Sequence, residues 1–134
     1  MAKNDTFHCS VITPERAVLE TDATFVAFPA HDGEVGILRD RAPLLYKMGI
    51  GVLRVETPEG NHTFFVDGGF AQMVENRLTL LTEQAKSVTE IDRAAAERAL
   101  DEARSLPAKG EAEIAARQRA VQRARVQMQL ADGR

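Results

Sequence analysis

The stretch HDGEVGILRDRAPLL, residues 31–45, decides between two folds. If Gly33 and Gly36 cradled a phosphate, a helix would have to come next and the chain would open as a nucleotide-binding α/β unit. A phosphate loop of that kind needs four residues between its glycines and a Lys-Ser/Thr pair after the second. Here only Glu34 and Val35 separate the glycines, and Ile37-Leu38-Arg39 comes after them. No helix begins there, so no helix N-terminus faces an anion. The stretch therefore predicts a turn with Gly33 at positive φ feeding a short strand. Its glycines shape backbone.

The same grammar extends on both sides as far as Ser87. TFHCSVI places Phe7, Cys9 and Val11 on one face, and VLRVE sets Leu53 and Val55 against Arg54 and Glu56. HTFFV alternates Phe64 and Val66 with Thr63 and Phe65, while RLTLLT sets Leu78 and Leu80 against Arg77 and Thr79. These are period-two strands. Turn residues punctuate them at Thr13-Pro14-Glu15, His31-Asp32-Gly33, Pro58-Glu59-Gly60-Asn61, Asp67-Gly68-Gly69 and Glu75-Asn76. So many short strands, so often interrupted, predict an antiparallel sandwich or barrel.

After Ser87 the composition changes. All six phenylalanines, the one tyrosine and seven of the nine glycines lie before it. Ala, Glu, Arg and Gln dominate the rest of the chain, and these are strong helix formers. TEID, Thr89 to Asp92, resembles a capping box, which predicts a helix from about Glu90 to Ser105. Pro107 and Gly110 interrupt it, and a second helix is expected from about Glu111 to Leu130. So short a break folds the two back as an antiparallel hairpin. Ala95, Ala96, Ala99 and Ala103 predict a small-residue seam on the first helix. Ile114, Val121 and Met128, with Ala120 and Ala124 between them, predict the facing seam on the second. At about 25 cal/mol per Å², alanines stabilise such docking only modestly. The domains expected are a β-sandwich over 1–87 and a helical hairpin over 88–134.

Composition narrows the chemistry. The net charge of −3 over 134 residues argues against nucleic acid as partner. A lone cysteine, Cys9, forms no intrachain disulfide, and no apolar run has the roughly 20 residues of a spanning helix. These features read as a soluble cytosolic chain without a signal peptide. His8, His31 and His62 lack chelating spacing, and His8 and Cys9 point to opposite faces of a strand, so no metal is expected. Cys9 alternates with Phe7 and Val11 and reads as core, without a nucleophile's partners. Residues before Val88 carry eight bases and twelve acids, and the remainder nine bases and eight acids. Arg117, Arg119, Arg123 and Arg125 make the second helix basic, which reads either as a solvated face or as a surface for an acidic protein.

Taken together, VITPERAVLE (11–20), GEVGILRDRAPLL (33–45), VDGGF (66–70) and the Ala/Arg-rich tail from Glu90 resemble the epsilon subunit of the F-type ATP synthase, whose mitochondrial counterpart is called delta. Gly33, Gly36, Pro43, Gly68, Gly69 and Phe70 carry that signature. The resemblance implies a two-sheet β-sandwich followed by an α-helical hairpin, in a non-catalytic rotor part. The sandwich would bind the gamma subunit and rest on the c-ring, with Ala30, His31 and Asp32 toward the ring. It implies no cofactor, contact with a membrane only through the complex, and a place on the cytoplasmic face of a bacterial inner membrane rather than in an organelle. The family's tail often brakes ATP hydrolysis, which would bring Arg117, Arg119, Arg123 and Arg125 to an acidic loop of a beta subunit, beside alpha.

Some bacterial members bind ATP on the hairpin through a motif Ile/Leu-Asp-x-x-Arg-Ala. Here Ile91, Asp92 and Ala96 match, Ala95 replaces the arginine, and Arg123 matches one position on the second helix, so ATP sensing is expected to be weak or absent. Arg39-Asp40-Arg41 also departs from the family's usual Pro-Gly-His. The alternatives that the residues leave open are a free-standing β-sandwich module for a small ligand and a small hydrolase.

Overall fold

The computed structural model describes residues 5–133. The chain divides into two compact units at Ala85 and Lys86, and each is described by itself. Ten strands form two five-stranded sheets. One runs in the order β2 (Ala17–Ala23), β1 (Phe7–Ile12), β9 (Arg77–Leu81), β8 (Phe70–Val74), β5 (Leu44–Lys47). The other runs β10 (Ala85–Ser87), β7 (Gly60–Asp67), β6 (Ile50–Thr57), β3 (Phe25–Ala30), β4 (Gly33–Ile37). The sandwich is mainly antiparallel, but β1 pairs with β9 in parallel, with Cys9 opposite Leu78 and Val11 opposite Leu80.

Alternation fills the space between the sheets as the sequence predicts. Phe7, Cys9, Val11, Leu53, Val55, Phe64, Val66, Leu78 and Leu80 all belong to the buried core cluster, with Phe28, Ile37 and Met73. Phe65 is fully buried as well, but outside that cluster, as its place on the other face of β7 requires.

The sheets are joined at a corner where the chain crosses twice. Strand β5 passes into β6 at Met48-Gly49, and β7 passes into β8 at Gly68-Gly69. The crossings bond to each other: the Met48 N–H donates to Gly69 O at 2.8 Å and the Gly68 N–H to Gly49 O at 3.1 Å. Gly68 and Gly69 adopt φ of 68° and 105°. A Cβ on Gly69 would lie 1.8 Å from the Leu81 carbonyl oxygen and 2.8 Å from the Thr82 Cα, both backbone atoms that cannot swing away. Only glycine fits there.

The second unit opens differently from the expectation. The predicted box Thr89–Asp92 does not form. The Ser87 side chain accepts from the Thr89 N–H at 3.4 Å, and Glu90 reaches back to the Ser87 N–H at 3.3 Å, which caps a single 3₁₀ turn, Val88–Glu90. Ile91 is then extended, with ψ 124°, and buried. Asp92 provides a second cap by accepting from the Ala94 N–H at 3.0 Å, so α1 runs Arg93–Arg104 rather than from Glu90. Helix α2 runs Glu111–Asp132.

Burial along the helices agrees with the expected seam at Ala96, Ala103 and Ala124 and departs from it elsewhere. Ala96, Leu100 and Ala103 are buried on α1, and Ala124 and Ala131 on α2. Ala95 and Ala99 are exposed, and Ile114 is 41 % exposed. Leu100 lies four residues from Ala96 and three from Ala103, so the helical repeat puts it in the stripe where Ala95 and Ala99 fall to one side.

Gly69→Ala is expected to lower unfolding free energy by more than about 3 kcal/mol, because backbone must move. Gly33 has φ 135° but open space around its Cβ direction, so Gly33→Ala should cost only about 1–2 kcal/mol. Urea unfolding of the two variants beside the parent checks the order.

Candidate functional site

One end of the sandwich gathers the residues that the sequence singles out around its glycines. Ala30 closes β3 opposite Gly33, so His31 and Asp32 form a two-residue hairpin loop, fully exposed. Ala30 bridges to Met48, and the Gly49 N–H donates to Pro29 O at 2.9 Å. The turn is thereby fastened to the corner that carries Gly68 and Gly69. Gly36 lies farther along β4, where a Cβ would come 3.0 Å from the Phe25 ring, and Pro43 is exposed just before β5.

The corner also presents apolar surface. Phe70 pairs in register with Leu81 on one side and Lys47 on the other, and all three side chains point away from the core. Phe70 is 51 % exposed, Leu81 49 % and Leu45, two residues along the edge strand, 70 %. Pro14 and Ile12 continue this surface as the wall of a shallow groove with Phe70 and Leu81. Exposed apolar area gathered on one sheet face marks a protein-binding surface more often than a scattered leucine does. In the sequence Phe70 stands out only as part of a motif; its outward register with Leu81 depends on strand pairing between distant segments.

At the other end of β4, about five residues away, the loop Arg39-Asp40-Arg41 is pinned to the β8–β9 turn. The Asp40 N–H donates to Asn76 Oδ1 at 2.7 Å, and Asn76 Nδ2 donates to Asp40 Oδ1 at 3.0 Å. Asp40 and Asn76 both sit at positive φ, 65° and 60°, which short polar side chains tolerate. Asn76, and then the charge and hydrogen bond of Arg39, hold the Asp40 carboxyl below its ordinary value despite some opposing desolvation. The stretch 31–45 thus spans two ends of the sandwich, a turn at one and this basic loop at the other.

The remaining candidates are scattered. Cys9 is buried in the core, and burial pushes its thiol up to about 12 from 9.0, the opposite of what a nucleophile needs. Arg117 and Arg125 line a groove with Ile114 and Val121, whereas Arg123 lines another with Ala99, Ala103 and Gln127. At about 100° per residue, Arg117 and Arg125 project to one side of α2 and Arg119 and Arg123 to the other. The four arginines do not form one face. Of the residues matching the ATP motif, Ile91 is buried, Asp92 is engaged as a helix cap and Ala96 belongs to the seam. The groove lined by Arg123 includes none of the three.

The class this architecture defines is a two-sheet β-sandwich, with exposed apolar side chains on an outer face and a polar turn at one end, followed by a helical pair. Residues 6–88 match the family model described as ATP synthase, Delta/Epsilon chain, beta-sandwich domain. The ATP synthase epsilon chain of Rhodopirellula baltica is 42 % identical over 120 residues, covering 90 % of this chain and 94 % of that one. The chain from Propionigenium modestum, described as sodium ion specific, is 30 % identical over 129 residues, covering 95 % and 94 %. In fold, the chain resembles part of the Euglena gracilis mitochondrial ATP synthase, with a TM-score of 0.83 at 21 % identity over 97 % of this chain and 82 % of that one. The chain belongs to the delta/epsilon family of the F-type ATP synthase. It is an accessory subunit of that enzyme and not the catalytic one.

The Asp40–Asn76 pair has a pH signature. A carboxyl whose folded pKa is depressed adds stability above its unfolded pKa and loses it as pH falls through the folded one. The Asp40 titration, followed by NMR, should have its midpoint below the ordinary 3.8, and Asn76→Ala should return it toward 3.8.

Proposed function

We propose that this chain is a rotor part that ties the gamma subunit to the c-ring and so helps carry torque from ion flow to the catalytic subunits. The observation that carries the proposal is the apolar row Phe70, Leu81 and Leu45 on the outer sheet face, next to the polar turn Ala30-His31-Asp32. The apolar face takes gamma, where burial of aromatic and aliphatic area supplies a lasting grip. The turn faces the ring, where a rigid hairpin loop fastened to the corner resists shear. Such a part belongs at the periphery of an energy-coupling membrane, held there by the complex.

The tail acts, in this proposal, as a restraint on hydrolysis through its arginines. Because these fall in two pairs on opposite sides of α2, one acidic surface engages one pair at a time. A free-standing ligand-binding module, the competing interpretation, would leave the outer face for a small molecule and form no complex with gamma.

Mixing the purified chain with its cognate gamma subunit should give a complex stable to gel filtration. Phe70→Ser with Leu81→Ser should weaken it at least about tenfold by calorimetry. Failure of the parent chain to bind gamma would remove the proposal. In the reconstituted enzyme, alanine at one of the two pairs, Arg117 with Arg125 or Arg119 with Arg123, should relieve inhibition of ATP hydrolysis while alanine at the other should not. Unchanged inhibition with all four replaced would remove the restraint alone.

A further inference from the structure

Two side chains that meet at the open end of the helical pair, Arg93 and Asp132, each have the wrong sign for the end of their own helix, although the Asp92 cap beside Arg93 has the right one. Helix α1 begins with Arg93 and has no acidic residue in its first turn, while α2 ends with Asp132 and has no basic residue in its last. A helix carries roughly half a positive charge at its N-terminus and half a negative charge at its C-terminus. A guanidinium at the first and a carboxylate at the second are each disfavoured in a lone helix.

Antiparallel packing puts the two together. Arg93 Nε donates to Asp132 Oδ1 at 2.5 Å across a separation of 39 positions, and Arg93 Nη1 donates to Glu97 Oε2 at 2.7 Å. Hydrogen bonds to Asp132 first and to Glu97 second raise the pKa of Arg93, which is firmly cationic in any case. Of the two pairs, only Arg93–Asp132 joins one helix to the other; Arg93–Glu97 lies within α1 and survives if the helices part. Meanwhile the buried seam offers four alanines and a single leucine, Leu100. With so little apolar area to hold the helices, an end-to-end ion pair weighs more than it would across a leucine seam.

We propose that Arg93 and Asp132 form a charge clasp that selects the closed helical pair, each charge offsetting the helix end on which the other is misplaced. Opening the pair leaves both charges on unfavourable helix ends, so the clasp acts as a conformational latch that added salt loosens. The clasp belongs to the helices alone and does not depend on what the sandwich binds.

The test uses the full chain in low salt, with amide hydrogen exchange read over residues 124–132 and nitroxide distances between labels at Arg98 and Gln129. Cys9, being buried, does not compete for the labels. Arg93→Ala and Asp132→Ala should each speed exchange about threefold, the scale of an exposed ion pair, and broaden the distance toward longer values. The double variant should do no worse than either single one, and Glu97→Ala should have little effect. At 1 M salt, where screening acts within about 3 Å, the parent should approach the variants. The charge swap supplies the sharpest comparison. Asp132→Arg alone improves the helix end of α2 but places two cations together, so it should open the pair; Arg93→Asp added to it should close the pair again. The clasp is overturned if the alanine variants match the parent at low salt, or if Asp132→Arg alone protects α2 as well as the swap does.

Discussion

The close approach of Gly69 to the backbone at Leu81 is the constraint on which the sandwich depends. Two strands change sheets at one corner, and the crossings bond to each other through Met48, Gly49, Gly68 and Gly69. A side chain on Gly69 would hold these crossings apart. Without that closure, β5 would lose its place at the sheet edge beside β8, and the turn at His31-Asp32 would lose its anchor. The proposed interaction surface is thereby backed by backbone hydrogen bonds at the corner.

The two units are built on different physics. The sandwich buries large residues from many segments, with Phe28, Ile37, Leu53, Met73, Leu78 and Leu80 among its fully buried side chains. The helical pair buries mostly alanine and adds ion pairing across its open end. Cooperative units with small buried areas open at lower free energy than those with large ones. The same chain thus joins a unit with a core of large residues to one with a core of small ones, and helical structure begins at the caps on Ser87 and Asp92.

Charge placement on α2 shows how one composition supports different arrangements. Four arginines within nine residues look like a basic face in the sequence, but a spacing of two or six residues on a helix separates them around the axis. The result is two pairs with different neighbours, one beside Ile114 and Val121 and the other beside α1 or solvent. Helical periodicity, applied to charge as it is to apolar residues, makes this division legible.

Much of the protein is determined by its residue pattern alone. Alternation fixes which of Phe7, Cys9, Val11, Leu53, Val55, Leu78 and Leu80 face inward, because a strand has only two sides. The glycine spacing at 33–36 excludes a phosphate loop, and the change at Ser87 separates sheet from helix. These are local properties. What only tertiary structure decides are the non-local ones: the parallel pairing of β1 with β9, the register that sets Phe70 beside Leu81, and Asp40 against Asn76. So too is the meeting of Arg93 with Asp132. Such pairs are far apart along the chain, and no local preference of either residue specifies its partner; only the path of the folded backbone does.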